Sequence, residues 1–306
     1  MNVIDSIQIN FSPDSLTLLN ICLAFLMFGV ALDIKISDFK RILESPKIPL
    51  VGLFSEYVYL PLLTLGLIFI IKPQASLALG MILISVCPGG SVSNYMVHLS
   101  KGNSALSVLL TSITTVGAIL ITPFAFKFWS SFVGYADELL TQINVDAGEI
   151  VVTVVQLILI PVFLGMFINH RFSAFAQRIK KSVSRFSMLI FLSFVFFGIL
   201  SNFENIKDYL SIVFVIVLVH NGLALLGGYG IPKFFGVEEK DCRAISIETG
   251  IQNSGLGLVL VFNFFDGLGG MALILAWWGI WHLLTGFLLS FFWRRRPSEA
   301  SKASEI

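Results

Sequence analysis

The stretch Glu-Thr-Gly-Ile-Gln-Asn-Ser-Gly at residues 248–255 interrupts an otherwise apolar segment that extends over residues 244–264. A second interruption, Cys-Pro-Gly-Gly-Ser-Val-Ser-Asn at residues 87–94, lies within the apolar segment 76–98. Proline and glycine end or weaken a helix, and each break frees backbone groups that must find partners away from water. Two such breaks predict a pair of discontinuous helices that cross, with their freed groups directed at a shared site.

The composition of the chain indicates a membrane protein. Of its 306 residues, 56% are hydrophobic and only 13% are charged, whereas an average soluble domain carries about 25% charged residues. A spanning helix needs roughly 20 apolar residues. We therefore predict an all-α integral membrane protein whose transmembrane domain, residues 15–293, contains nine spans, at about residues 15–32, 46–71, 76–98, 104–128, 150–169, 186–201, 210–232, 244–264 and 270–293.

The order of the spans predicts an internal symmetry. The two interrupted segments are spans three and eight, so they lie five spans apart and cross the bilayer in opposite directions. This arrangement is typical of an inverted repeat with a pair of discontinuous helices. Spans one to four would then correspond to spans six to nine, which leaves span five unpaired.

The distribution of basic residues predicts the orientation. With nine spans, all but three of the 20 Lys and Arg residues (Lys72, Lys127 and Lys207) fall on one side of the membrane. Because basic residues favour the cytoplasmic side, residues 1–14 are expected to be extracellular and the tail 294–306 cytoplasmic. The expected membrane is the plasma (inner) membrane. The net charge of +1 does not indicate a class of partner, and the lack of a basic patch interleaved with aromatic residues argues against nucleic acid.

Two acidic residues within the spans are candidates for an ion site. A carboxylate in a span costs about 2–3 kcal/mol or more unless it is paired, and Glu248 has no Lys or Arg partner in its own apolar segment. A bound cation or a proton would balance it, although a position shortly after Arg243 also allows simple hydration at the interface. Glu56 in span two is either a second ion ligand or a neutral structural acid.

Other polar residues in the spans leave alternatives open. Ser107 and Thr111 are four residues apart, so they share one helix face, but hydroxyls of this kind often bond to carbonyls of their own helix. His220-Asn221 and Trp281-His282 occupy matching places in spans seven and nine. Each histidine is either a functional group or part of an interhelical hydrogen bond.

At these residues the chain resembles the bile acid:sodium symporter family. The resemblance rests on Cys-Pro-Gly-Gly-Ser-Val-Ser-Asn (87–94), Lys-Gly-Asn-Ser-Ala-Leu-Ser-Val-Leu-Leu-Thr-Ser (101–112), Ile-Glu-Thr-Gly-Ile-Gln-Asn-Ser-Gly-Leu (247–256) and Trp-His-Leu-Leu-Thr-Gly (281–286). It extends over essentially all nine spans. It implies a core of spans two to four and seven to nine, and a panel of spans one, five and six.

The resemblance also implies two sodium ions where spans three and eight cross. The first is expected to be held by Ser93, Asn94, Ser107, Thr111 and Glu248. The second is expected to contact Glu248, Thr249, Ile251 and Gln252, partly through backbone carbonyls. The family usually has glutamine at the position of Glu56, where it contributes to the second site, so the carboxylate here leaves the ion stoichiometry open.

The function that the resemblance implies is sodium-coupled symport of an organic anion, either a bile acid or a smaller carboxylate, by alternating access. The substrate is expected between core and panel, near Ser91, Asn253 and His282. Leu283 departs from some bacterial members, which have asparagine there. A proton-coupled or mixed-ion transporter is the alternative, and an intramembrane enzyme or a solute sensor is the alternative of another class. We expect a non-enzymatic monomer whose partners are sodium, the anion and the lipid bilayer.

Overall fold

The computed structural model of the protein describes part of the chain, namely residues 3–7, 13–32, 34, 46–90, 92–143, 152, 155–201 and 203–296. Within these ranges every regular element is a helix. The one β contact among the described residues is an isolated antiparallel bridge between Gly89 and Gln252. The all-α class predicted from the sequence is confirmed for this part of the chain.

The α-helices of the described residues follow one another in chain order. They are α1 (Val3–Ser6), α2 (Pro13–Ala31), α3 (Lys47–Ile71), α4 (Ala75–Ser85), α5 (Val92–Leu99), α6 (Ser104–Ser130), α7 (Asp137–Ile143), α8 (Val155–Arg171), α9 (Ser173–Ser201), α10 (Phe203–Ile206), α11 (Leu210–Phe234), α12 (Glu239–Gly250), α13 (Ser254–Phe264) and α14 (Gly269–Arg294).

Long apolar helices indicate a multi-pass membrane protein. Among the described residues, four helical stretches are long and apolar enough to cross a bilayer, namely α3, α6, α14 and the stretch Lys207–Phe234 that contains α11. Shorter apolar helices include α4, α8 and α13. Many large apolar side chains on these helices are exposed, for example Ile70, Phe163 and Leu226, as expected where lipid replaces water as the solvent.

The two interrupted segments each form two helices separated by a short break. Residues 76–98 correspond to α4 and α5, and residues 244–264 to α12 and α13. By contrast, the range 186–201 is only the second half of a longer helix, α9, which begins at Ser173. Its first half contains four Lys and Arg residues, so hydropathy alone does not detect it, although charged residues such as these are good helix formers.

The helices α3 and α8 each contain a π-helical turn just before a proline. Both helices contain a five-residue π-helical turn, Ser55–Tyr59 in α3 and Val155–Leu159 in α8. In each case a proline, Pro61 or Pro161, follows at the second position after the turn. Proline has no N–H group, so it cannot complete the regular bond to the carbonyl four residues earlier. The turn in α3 bears Glu56, which is buried.

The connection between α5 and α6 is a tight turn. Lys101 adopts a left-handed conformation with φ 57°. The side chain of Asn103 then caps α6 by accepting hydrogen bonds from the backbone N–H groups of Ala105 and Leu106, both at 3.1 Å. Capping of this kind fixes the start of a helix. The turn therefore directs α6 back along α5, so that both helices pack against each other and against α12.

Small residues allow close packing between several helices. A Cβ atom on Gly80 of α4 would lie 2.9 Å from the Cα atom of Met271 in α14, and one on Gly228 of α11 would lie 2.8 Å from Cβ of Thr249 in α12. Helix pairs in membranes are typically joined through such small residues. The helices α2, α8 and α9 contact one another extensively and form a second group.

A buried arginine joins three helix ends. Arg243 of α12 is 2% exposed. Its Nη1 donates to the carbonyl oxygens of Ser100 at 2.9 Å and Trp293 at 3.2 Å, and its Nε donates to Oε1 of Glu239 at 2.9 Å. The side chain thus ties the ends of α5 and α14 to the first turn of α12.

These contacts predict that Arg243 contributes more to the free energy of unfolding than Lys233, the other basic residue near Glu239. Arg243→Met leaves buried carbonyl groups without a donor and should destabilise the protein by about 3 kcal/mol. Lys233→Met is the control, because Nζ of Lys233 lies 3.6 Å from Glu239 and its side chain is 50% exposed, so its loss should cost less than about 1 kcal/mol.

A thiol-reactive dye can measure this difference during thermal unfolding, since the three cysteines, Cys22, Cys87 and Cys242, are buried in the folded protein. A clearly lower melting temperature is expected for Arg243→Met alone. Equal melting temperatures for the two variants would show that Arg243 does not hold these helix ends together.

Candidate functional site

The breaks in the two interrupted helices are bonded directly to each other. The backbone N–H of Gly90 donates to the carbonyl of Ile251, and the backbone N–H of Asn253 donates to the carbonyl of Pro88, both at 2.8 Å. Together with the bridge between Gly89 and Gln252, these bonds satisfy backbone groups that cannot reach water. The two breaks that the sequence predicts are therefore joined to each other in the described part of the chain.

Glycine is required at the crossing because the two chains approach so closely. A Cβ atom on Gly89 would lie 2.9 Å from Oε2 of Glu248, and one on Gly90 would lie 3.3 Å from the carbonyl oxygen of Gln252. Any larger residue would push the carboxylate or the opposite backbone aside. The glycine pair thus allows a side-chain carboxylate to lie directly against the backbone of the other break.

The carboxylate of Glu248 is the centre of a cluster of oxygen atoms. Glu248 is fully buried. Its Oε1 accepts hydrogen bonds from Oγ of Ser93 at 2.5 Å and from Oγ of Ser107. Its Oε2 accepts from Oγ1 of Thr111 at 2.9 Å. The hydrated alternative for Glu248 is thereby wrong in this structure, because the group lies inside the protein.

The amide oxygen of Asn94 joins the same cluster. Its Oδ1 lies 2.7 Å from Oγ of Ser107 and 3.3 Å from Oγ1 of Thr111. Each hydroxyl has a single proton, so the three hydroxyls cannot donate to every acceptor around them. Within the described chain, no ion pair involves Glu248. The cluster is thus rich in oxygen, and within the described residues no protein cation lies beside its carboxyl group.

A second buried carboxylate approaches the crossing from α3. Glu56 is 2% exposed, and neither of its carboxylate oxygens has a hydrogen-bond partner among the described residues. A Cβ atom on Gly89 would lie 3.8 Å from Oε2 of Glu56 and 2.9 Å from Oε2 of Glu248. Both carboxylates therefore face the same glycine.

The side chain of Gln252 lies at the break between α12 and α13. Its Nε2 donates to the carbonyls of Thr249 at 3.0 Å and Glu248 at 3.3 Å, while its Oε1 is buried without a partner in the described part of the chain. The hydroxyl of Thr249 donates back to the carbonyl of Ile245. The side chain of Thr249 is therefore bonded within its own helix, and its backbone carbonyl accepts the bond from Gln252.

The candidate substrate residues are not brought together in the same way. Ser91 lies outside the described residues. Asn253 caps α13 through a bond from the N–H of Leu256 to its Oδ1, and its Nδ2 lies 3.8 Å from Sδ of Met27 in α2. His282 of α14 is 6% exposed, and its Nδ1 has no hydrogen-bond partner in the part of the chain that the structure describes. No hydrogen bond among the described residues joins Asn253 to His282.

The structure also distinguishes the two histidines. Nε2 of His220 lies 2.8 Å from Oγ1 of Thr64, and its ring packs edge-on against Trp278 with centroids 4.9 Å apart. His220 therefore makes the interhelical hydrogen bond that the sequence left as one of two interpretations. Trp277 and Trp281 of α14 pack against Phe214 of α11 in similar edge-on contacts, so both take part in packing between these two helices.

One residue near the crossing was missed in the sequence. Oγ1 of Thr114 accepts a hydrogen bond from the N–H of Gly89 at 3.2 Å, and its carbonyl accepts one from the hydroxyl of Tyr57. Thr114 follows Ser107 by seven residues and Thr111 by three, which places all three on one helix face. Extending the Ser107–Thr111 spacing by one more turn would have found it.

Comparison with known proteins identifies the family of the chain. The profile of the Sodium Bile acid symporter family matches residues 20–209. The chain is 31% identical to the uncharacterized sodium-dependent transporter YocS of Bacillus subtilis, over 94% of this chain and 86% of that protein. It is 32% identical to the probable sodium/metabolite cotransporter BASS2, chloroplastic, of Oryza sativa subsp. japonica, over 94% and 67%. It is 28% identical to sodium/bile acid cotransporter 4 of Mus musculus, over 76% and 52%. The chain therefore belongs to the sodium bile acid symporter family of membrane transport proteins.

Proposed function

We propose that this protein is a secondary transporter that couples the inward flow of sodium to the uptake of an organic anion. The observation that carries this proposal is the buried carboxylate of Glu248, which is surrounded by neutral oxygen atoms and has no cation of the described protein beside it. A transporter of the family to which the chain belongs would balance this charge with its coupling ion.

The first sodium ion would be held by the cluster around Glu248. Its proposed ligands are Ser93, Asn94, Ser107, Thr111 and Glu248. Oxygen atoms suit a hard cation, and one carboxylate among neutral ligands is matched in charge by one monovalent ion. The hydroxyls that now bond to the carboxylate would turn their lone pairs to the ion when it binds.

The second ion would lie on the side of the crossing that faces α3. Its proposed ligands are Glu248, Thr249, Ile251, Gln252 and Glu56. Oε1 of Gln252 and both oxygens of Glu56 are buried without partners among the described residues. They support a cation there, because an unpaired buried acceptor is costly. Since Glu56 is a carboxylate, either a tightly bound sodium ion or a proton is suitable, and a mixed-ion transporter is the second candidate function.

The proposed transmembrane arrangement has nine spans in an inverted repeat. The antiparallel bridge between the two breaks supports it, since crossed interrupted helices are typical of such repeats. The group α2, α8 and α9 would be the panel, and the remaining spans the core. The N-terminus would lie outside and the C-terminus inside a plasma (inner) membrane, with the protein acting as a monomer.

The proposed transport cycle uses rocking of the core against the panel. Sodium neutralises Glu248 and fixes the crossing. Backbone amides near Ser91 and Asn253 then favour binding of an anion between the core and the panel. His282 lies near the proposed anion site. Names of the relatives refer to bile acids and metabolites, which supports a bile acid or a smaller carboxylate as the substrate. An enzyme or a sensor is the alternative of another class.

The proposal predicts anion uptake that depends on a sodium gradient. Proteoliposomes containing the protein should accumulate at least one of a bile acid, a keto acid and a hydroxy acid when sodium is high outside, and should not when choline replaces it. The electrical driving force adds about 2.3 kcal/mol per charge per 100 mV. Equal uptake under both conditions would contradict sodium coupling, and binding without net flux would favour a sensor.

The first ion site predicts different effects for two buried serines of α6. Ser107→Ala removes a proposed ligand and should weaken sodium binding by about tenfold or more. Ser112→Ala is the matched control, because Ser112 is also buried but bonds to the carbonyl of Val108 in its own helix. Stabilisation of the purified protein against heat by sodium chloride, relative to choline chloride, measures both. Unchanged sodium stabilisation in Ser107→Ala would remove this residue from the site.

The carboxylate of Glu56 predicts competition between sodium and protons. At acid pH the sodium concentration needed for half-maximal thermal stabilisation should rise, and it should rise more in wild type than in Glu56→Gln, which cannot bind a proton at this position. Titrations of both proteins at acid and at neutral pH make the comparison. The same pH dependence in both proteins would show that Glu56 is structural.

A further inference from the structure

The carbonyl group at the end of α12 is held by a side chain from another helix. In an uninterrupted helix the carbonyl of Gly250 would accept a bond from the N–H of Ser254, but that N–H donates to the carbonyl of Gln252 at 2.9 Å. Nδ2 of Asn221 in α11 donates to the Gly250 carbonyl instead, at 2.8 Å. Asn221 is fully buried, so this bond is shielded from water.

The other end of the Asn221 amide is bonded to a third helix. Its Oδ1 accepts a hydrogen bond from Oγ1 of Thr285 in α14 at 2.7 Å. The hydroxyl of Thr285 also lies 3.2 Å from the carbonyl of Trp281 and 3.3 Å from that of His282, but these distances are longer. A carbonyl can only accept a hydrogen bond, so the NH₂ group must face Gly250 and the orientation of the amide is determined.

These bonds form a continuous connection between two regions of the proposed site. Gly250 follows Glu248 by two residues and precedes Ile251, whose carbonyl bonds to Gly90 at the crossing. Thr285 follows His282 by three residues, so the two share a face of α14. Asn221 therefore links the break that surrounds the proposed ions to the helix turn that bears the proposed substrate residue.

We propose that Asn221 is a positioning residue that transmits cation binding at the break to α14 through Thr285. This proposal rests on the proposed function, because it assumes that a cation binds at the crossing. When a cation fixes the carbonyls of the break, the Gly250 carbonyl fixes the amide of Asn221, and the amide in turn fixes Thr285 and the turn that includes His282. Coupling of this kind is a free energy shared by two sites.

Hydrogen–deuterium exchange with sodium alone tests the connection without knowledge of the substrate. In wild type, sodium chloride should slow exchange, relative to choline chloride, in peptides that cover the break and in peptides that cover the middle of α14. Thr285→Val keeps the bond between Asn221 and Gly250 and removes the link to α14. It should preserve the protection of the break and reduce the sodium-dependent protection of α14 by half or more.

Three further variants distinguish the proposed link through Asn221 and Thr285 from a general loss of protein stability. Thr285→Ser retains the hydroxyl and should restore the α14 response. Ser290→Ala removes another fully buried hydroxyl from α14, one that donates to the carbonyl of Met96, and should leave the response unchanged. Asn221→Ala frees the Gly250 carbonyl and should weaken the sodium response in both regions.

The outcomes distinguish this proposal from the function on which it rests. Sodium-dependent protection of both regions that is the same in wild type and Thr285→Val would overturn the role of Asn221 and leave the sodium site standing. Equal losses in Thr285→Val and Ser290→Ala would show a purely structural effect and would also overturn it. Absence of any sodium-dependent protection in wild type would overturn both the sodium site and the connection.

Discussion

The structure depends on a carboxyl group held inside a protein that is surrounded by lipid. Glu248 is fully buried, and its hydrogen-bond partners among the described residues are neutral hydroxyl groups. Hydroxyls can orient toward a carboxylate, but they cannot cancel its charge, so an intramembrane acid without a counter-charge remains costly. The arrangement of the crossing follows from this constraint, because glycine at position 89 gives the carboxylate room against the opposite backbone.

Two kinds of polar group meet at the crossing, and they have different consequences. Backbone groups freed by the breaks are paired, as in the bonds from Gly90 to Ile251 and from Asn253 to Pro88. Side-chain oxygens of Glu56 and Gln252 are buried without partners in the described chain. The paired backbone groups join the two breaks, while each unpaired oxygen can accept a bond from a proton or from the proposed cation. A scaffold that is satisfied except for a few acceptors is what a selective ion site requires.

Those features of the site that depend on residues close together in the sequence were predictable. Glycine, proline and polar residues inside apolar segments predicted the breaks, and the spacing of Ser107 and Thr111 predicted two hydroxyls on one face. Contacts between distant helices were not predictable from one sequence. The bond from Asn221 to Gly250 joins residues on different helices, and the π-helical turn that carries Glu56 depends on packing as well as on Pro61. The charged start of α9 was missed because hydropathy does not report helix propensity.

Direct calorimetric titration of sodium into the purified protein, in the absence of any organic anion, tests the central claim. The variant Glu248→Gln provides the comparison, since it keeps the shape of the side chain and removes its charge. The account predicts saturable sodium binding to wild type and none to Glu248→Gln. Sodium binding of equal affinity to both proteins would contradict it, because the carboxylate would then not be the group that the ion neutralises.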